Sequence, residues 1–307
     1  MFFAQTTDWT QMGQALVGDL LRLFGPQGLT AQQFSLVMIT PASFGAQGFA
    51  HHGDWSAYPC SLVKPFHMVH ALMALEAGRI APPPDFDAAL RDMILWSSNT
   101  ATNYVIDTLT ATTGDTRLEG AEYLDWASKR DRLNHVFWQL GWPEWEGCRI
   151  SQKLMGDLRY GREAQYAGPY GQNLNRLTPL AVARLLWDLF EGDLPLSPAA
   201  QARAQTLMLR DPNSPDAVFP DYQLSEYLGG NLPEGVKIWS KAGHNEWTND
   251  PKTSWFKHDM IRIAARGLRP LTLVVMTQGR GLAATHPAAF PAMGRLIWDR
   301  AAPLLKV

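Results

Sequence analysis

The chain has 307 residues, 46% of them hydrophobic and 18% charged, enough for one large globular domain or two small ones. A formal charge of −2 and the lack of a basic stripe exclude a polyanion partner such as nucleic acid. No run of about 18 apolar residues is present, so no membrane span is expected.

Two cysteines, Cys60 and Cys148, do not make a disulfide framework, and a reducing compartment is favoured. The N-terminus lacks a basic region followed by an apolar one. As written, the chain reads as cytoplasmic, or as periplasmic or secreted if a leader has been removed.

Taken in order, Thr7 to Leu23 reads as an amphipathic helix capped by Thr7 or Asp8 and stopped at Gly25-Pro26. Phe34 to Thr40 is an apolar strand, and a second runs near Gly48 to His52. From Leu62 the pattern is helical to Leu75, with Gly78 as C-cap, and Ala81 to Asp85 is a stiff proline-rich connection. Helices follow over Phe86 to Trp96 and Thr100 to Leu109. Ala111 to Lys129 is polar and irregular, and Leu133 to Leu140 is a short helix. Cys148 to Asn175 reads as a long loop with glycines at 156, 161, 168 and 171. Thr178-Pro179 and Ser197-Pro198 each open a helix with a capping hydroxyl and a first-turn proline. Strands are then expected over Gly235 to Trp239, Met260 to Ala265 and Leu271 to Thr277, and Ala288 to Ala302 closes the chain as a helix.

This order predicts an α+β fold. N- and C-terminal strands form one antiparallel sheet packed with helices, beside a central all-helical lobe. The expected division is residues 1–60 plus 235–307 for the sheet lobe and 61–234 for the helical lobe. A site is expected in the cleft between them.

Three short motifs carry chemistry. Ser61 and Lys64, three apart on a helix, share a face. A serine hydroxyl is a poor nucleophile until a base takes its proton, and a lysine whose pKa is lowered by burial can do so. Ser97-Ser98-Asn99 supplies a second hydroxyl to relay a proton and an amide to hold a substrate amide. Lys241-Ala242-Gly243, directly after the strand, supplies a second cation that orients Ser97 or a substrate carboxylate. The N–H of Ser61 and one from the segment after Gly243 can form an oxyanion hole. S-x-x-K alone is a common accident, and each residue alone is more simply a cap or a surface group. Order and flanking text make the case.

With Tyr58-Pro59-Cys60 before Ser61, Asn99-Thr100-Ala101-Thr102-Asn103 after the second motif and Thr178-Pro179 opening a later helix, the chain resembles the serine β-lactamase and penicillin-binding protein superfamily, and most closely class A β-lactamases. The resemblance implies a β-lactamase/transpeptidase-like fold. It implies Ser61 as the acylated nucleophile, Lys64 as its activator, Ser97 as proton relay, Asn99 on the substrate amide, and Lys241 with Gly243 as the third motif. His244 is a further residue expected to line the cleft, as are Trp96, Trp239 and Trp247.

Several positions depart from the family's pattern. Lys64 to Ser97 is short. Ser98 stands where class A has Asp, and Ala242 stands where a Thr or Ser hydroxyl helps hold the substrate's carboxylate. The omega-loop text E-P-E-L-N is absent. Glu163, sixteen residues before Pro179, is the nearest candidate for the base that activates the deacylating water, with an ion pair to Arg162 as the rival reading, and Ala167 stands at the family's asparagine. His51, His52, His67 and His70 lack a carboxylate or Cys at zinc spacing, so no metal is implied, and no cofactor.

The expected activity is hydrolysis of an amide or ester, a β-lactam among the possibilities, on a small-molecule or peptide-like substrate. A D-alanyl carboxypeptidase or esterase of the same fold is the enzymatic alternative. A covalent receptor that acylates without deacylating is the alternative from another class.

Overall fold

The computed structural model describes residues 1–155 and 159–307; Gly156, counted above among the loop glycines, lies outside the described residues. Helix α1 (Thr7–Phe24) leads into strands β1 (Phe34–Ala42) and β2 (Gly45–His51). Seven helices follow: α2 (Lys64–Glu76), α3 (Phe86–Leu95), α4 (Asn99–Thr110), α5 (Gly120–Gln139), α6 (Gly161–Ala167), α7 (Pro179–Phe190) and α8 (Pro198–Met208). The chain then runs through β3 (Leu209–Arg210), β4 (Lys237–His244), β5 (Phe256–Ala264) and β6 (Leu271–Gln278) to α9 (Ala289–Ala301).

The strands form one antiparallel sheet in the order β2-β1-β6-β5-β4-β3, so the N-terminal pair adds to the C-terminal strands through β1 and β6. Both faces of the sheet are covered, which is why its strands read as continuous apolar runs rather than alternating ones. Side chains of successive residues point to opposite faces. Leu36, Met38, Leu273 and Val275 join α1 and α9 in one core, whereas Val37, Ile39, Val274 and Met276 join the helical side in another. Helix α7 is buried nearly all round against β1, β5 and β6.

Five local expectations are corrected. The stretch 148–175 is not loop throughout, since the short helix α6, Gly161–Ala167, lies within it. The stretch 111–129 is not irregular to its end. One helix, α5, runs from Gly120 to Gln139 and absorbs the short helix expected over 133–140. Its polar outer face hid its period, and only Trp126, Arg130, Leu133, Asn134, Val136 and Phe137 are buried. The third motif does not follow a strand but lies inside β4, paired with β5 from Lys237↔Ala264 to His244↔Lys257. β3, two residues from the helical block, edges the sheet and was not expected. Thr6 occupies the N-cap position of α1 and makes no side-chain cap bond, so neither Thr7 nor Asp8 caps that helix. The caps on α7 and α8 are as the sequence predicts. Thr178 Oγ1 accepts from the Ala181 N–H and Ser197 Oγ from the Ala200 N–H, both at 3.2 Å.

Candidate active site

Ser61 sits on a 3₁₀ turn, Cys60–Val63, that runs into α2, with Lys64 as the first α-helical residue. Two neighbouring backbone positions are strained. Cys60 and Ser97 have φ of 50° and 54°, left-handed values that cost a non-glycine residue about 1–3 kcal/mol and persist where the surroundings over-determine them. At Cys60 a buried histidine supplies part of that constraint. His258, buried in β5, donates from Nε2 to the Tyr58 carbonyl at 3.0 Å while its Nδ1 accepts from the Thr277 N–H at 3.2 Å. Burial pulls its pKa down to about 4, so a neutral imidazole of fixed tautomer pins the approach to Ser61.

The first three motifs meet at one hydroxyl. Ser97 Oγ donates to Ser61 Oγ at 3.0 Å, and accepts from Lys64 Nζ at 3.1 Å and Lys241 Nζ at 2.9 Å. Lys64 also bonds the Ser97 carbonyl and Asn99 Oδ1, the latter at 3.0 Å. It does not bond Ser61, so the path from nucleophile to base passes through Ser97. Lys241 reaches the Ala242 carbonyl at 2.6 Å and the side chain of Gln223.

Both ammonium groups are fully buried and, among the described residues, neither has a carboxylate in hydrogen-bond contact. Burial is the main reason the pKa of Lys64 falls to about 7. Burial lowers Lys241 as well, and the nearby Lys64 and Arg210 add to it. A lysine with a pKa near neutrality is half deprotonated, which is what a base for a serine needs.

Gly243 shows why the third motif ends in glycine. A Cβ there would stand 2.7 Å from the Ser61 N and 3.1 Å from the Cys60 Cβ, so β4 can pass the nucleophile this closely only without a side chain. The ladder places the next donor. The Asn245 N–H bonds the Phe256 carbonyl across to β5, so by the antiparallel alternation the N–H of His244 points to the opposite edge of β4, where the Ser61 turn packs. The N–H groups of Ser61 and His244 are thus the two candidate oxyanion donors.

Ser98 is the N-cap of α4, its Oγ accepting from the Ala101 N–H at 3.1 Å, which accounts for a serine at the place of the family's aspartate. Asn99 lines a cleft of about 630 Å³ together with Ser61, Gln152, Arg159, His244 and Trp247. With Oδ1 taken by Lys64, the Asn99 amide N–H₂ is the group left for a substrate carbonyl. His244 Nδ1 bonds the Tyr227 hydroxyl at 2.8 Å. Trp239 packs on Phe190 and Trp96 on Phe219 and Tyr222, so of the three tryptophans only Trp247 faces the cleft.

Glu163 is not brought to this cleft. It is buried on α6 in a two-pronged ion pair with Arg130, Oε1 to Nη2 at 2.8 Å and Oε2 to Nη1 at 3.0 Å. Arg130 is fully buried and also bonds Thr112 and the Ser151 carbonyl. The rival reading fails as well, since Arg162 turns outward to the carbonyls of Thr113 and Thr116. Around this pair the segment after Cys148 is a tied structure. Gln152 and Asn175 exchange three hydrogen bonds, and Asn103 exchanges two with the Leu154 backbone. Among the described residues, the cleft lining holds one carboxylate, Glu246, exposed on the turn after β4.

The sequence reading missed Gln223, Gln152, Tyr227 and His258. No motif marks them, because each is recruited by a fold contact rather than by spacing. Cys60 and Cys148 are both free and buried, and burial raises both thiols. His67 and His70 are buried in α2, and no group of three or more metal-ligating side chains occurs among the described residues.

The fold is shared with solved class A β-lactamases. A class A representative from Bacteroides cellulosilyticus DSM 14838 superposes with a TM-score of 0.65 at 14% identity, over 95% of this chain and 99% of that one. A β-lactamase from Burkholderia vietnamiensis gives 0.62 at 16% identity, over 97% and 98%. The class A enzyme of the last common ancestor of Gram-negative bacteria gives 0.61 at 18%, over 93% and 98%. No curated protein matches the sequence. The sequence model described as the beta-lactamase enzyme family matches residues 84–301, more than two thirds of the chain, and takes in the second and third motifs while starting beyond Ser61 and Lys64. On that match and that fold, the protein belongs to the beta-lactamase enzyme family.

Proposed function

We propose that the protein is a serine hydrolase that cleaves an amide or ester through an acyl-enzyme on Ser61. One observation carries the reading: the hydrogen-bonded line Ser61–Ser97–Lys64, with Lys241 donating to the same Ser97 hydroxyl. In the proposed step Ser61 Oγ forms a bond to the substrate carbonyl carbon. Its proton passes to Ser97 Oγ, and the Ser97 proton passes to neutral Lys64. The oxygen that becomes negative is held by the N–H groups of Ser61 and His244. When the C–N or C–O bond breaks, Ser97 returns the proton to the leaving group. Asn99 orients the acyl side. Lys241 fixes the Ser97 rotamer, and burial leaves Lys64 about half deprotonated near neutral pH.

β-Lactams are one candidate substrate. The buried Ala242 offers no hydroxyl for a carboxylate, which favours substrates that do not depend on that contact, as an esterase of this fold would take them; a D-alanyl carboxypeptidase is the alternative that would not need the omega-loop carboxylate in the family's place. A second reading is supported by the place of Glu163. With that carboxylate held by Arg130, no water-activating base stands in the position expected among the described residues, and an acyl-Ser61 that persists would make the protein a covalent receptor.

The test is intact mass and turnover with a chromogenic cephalosporin and with an activated ester, on the wild type and on Ser61→Ala. Adduct or turnover lost in the variant supports the nucleophile, and the lifetime of the adduct separates hydrolase from receptor. Activity that survives Ser61→Ala would overturn the proposal.

A further inference from the structure

A second cluster of basic groups lies away from the cleft, on the far end of α2. His70 of α2, Arg79 just beyond it, and Arg132 and His135 of α5 line a pocket of about 290 Å³ floored by Ile80 and Leu109. It shares no lining residue with the Ser61 cleft. No Asp or Glu lines it among the described residues, and none of the four basic side chains has a carboxylate partner there. The acids nearest these groups along the two helices, Glu76 and Asp131, are engaged elsewhere, Glu76 with Ser197 and Asp131 with Arg149.

Two facts separate this cluster from an ordinary solvated patch. His70 is 5% exposed, and its buried Nδ1 has no hydrogen-bond partner. An unpaired buried polar atom costs about 1–3 kcal/mol and calls for an explanation. Burial and the charge of Arg79 together push the pKa of His70 down to about 4. The second fact is the origin of the charges. Arg79 follows the C-terminus of α2, its N–H bonded to the Ala74 carbonyl, so the helix dipole accounts for a cation there. It does not account for Arg132, two turns before the end of α5, which converges on the same space.

We propose that this pocket binds a phosphate-type dianion, free or as the ester of a small molecule, with the guanidinium groups of Arg79 and Arg132 as forked donors and the His70 imidazole as the buried one. Guanidinium forks match the spacing of phosphate oxygens and hold them bidentately. An arriving dianion supplies the missing counter-charge, so His70 takes up a proton on binding. The volume leaves room for a small organic group beyond the phosphate itself.

The experiment titrates the full chain with inorganic phosphate, and separately with glycerol phosphate, at constant ionic strength with chloride as the reference anion. Imidazole NMR follows His70 and His135, and thermal unfolding follows mass action. Saturable binding is expected, with the His70 ring moving to its charged form and the unfolding midpoint rising. Tighter binding of glycerol phosphate identifies an ester as the ligand, and equal binding identifies the free ion. Arg79→Gln with Arg132→Gln should weaken binding by at least about tenfold, and Arg132→Lys alone by less. Lack of saturation with both probes, or unchanged affinity in the double variant, would overturn the proposal.

Discussion

Two buried charge clusters stand within the helical side of the molecule, and their balance differs. Around Ser97 two lysines are sealed from water with no carboxylate in contact among the described residues, and both are pushed toward neutrality. Around Arg130 two bases, Arg130 and Lys153, face two acids, Glu163 and Asp107, with Lys153 Nζ 2.6 Å from Asp107 Oδ2 and Arg130 Nη2 3.8 Å from Asp107 Oδ1. Asp107 is still shifted upward, by burial. Balanced charges hold three chain segments in place: α4 through Asp107, α5 through Arg130, and the long segment after Cys148 through Lys153 and Glu163. Unbalanced ones are held ready to exchange protons. Under the proposed function acyl transfer belongs to the unbalanced cluster, while the balanced one ties chain segments together.

The largest expected effect is in the unbalanced cluster. Ser61→Ala should cut acyl transfer by at least about a thousandfold in initial-rate assays while leaving the unfolding curve nearly unchanged, since residues acting as one catalytic unit fail together. The balanced cluster should behave in the opposite way. Glu163→Ala leaves a buried guanidinium unpaired and should cost about 3–5 kcal/mol in denaturant unfolding. A double variant, Arg130→Met with Glu163→Leu, should recover most of that, because an apolar pair of similar size replaces the ions. A Glu163→Gln protein that keeps its stability but accumulates acyl-enzyme would break the distinction and return Glu163 to the chemistry.

Smaller effects sharpen it. Gly243→Ala pushes β4 away from the Ser61 turn, and a shift of less than 1 Å at the oxyanion donors should slow acylation by roughly 10–100-fold in stopped-flow assays. Thr178→Ala removes the cap of α7 and a weak 3.4 Å bond to the Glu144 carbonyl, and should cost about 1 kcal/mol in thermal unfolding, without a change in rate.

The fold, and the meeting of the three motifs at Ser97, are legible in the sequence because each part has a local signature. Buried strands read as apolar runs. Ser-Pro and Thr-Pro mark helix starts. The pairs Ser61 with Lys64 and Ser97 with Asn99 are fixed by one helical turn or one cap. The third motif, in the strand β4, was found by its text but placed one element late, because Ser240, Lys241 and Gly243 have no strand propensity and are held there by pairing with β5. Glu163 was misplaced for a related reason. Its partner Arg130 lies thirty-three residues away on a helix whose period is masked by polar residues, so nothing local pointed to the pair. His258 and Gln223 reach the site across the sheet and from a loop, contacts that only tertiary structure creates.

The most direct test of the central claim is the pH dependence of the Ser61 acylation rate with an activated ester, followed by mass from about pH 5 to about pH 9. Lys64 must be neutral to accept the proton, and burial lowers its pKa to about 7. The rate should therefore be low in acid, rise through about pH 7 and level off above it, as one apparent value of the coupled Lys64–Lys241 pair. A rate that rises only above about pH 10, where an ordinary exposed lysine loses its proton, or a rate that is flat across the range, would contradict the account.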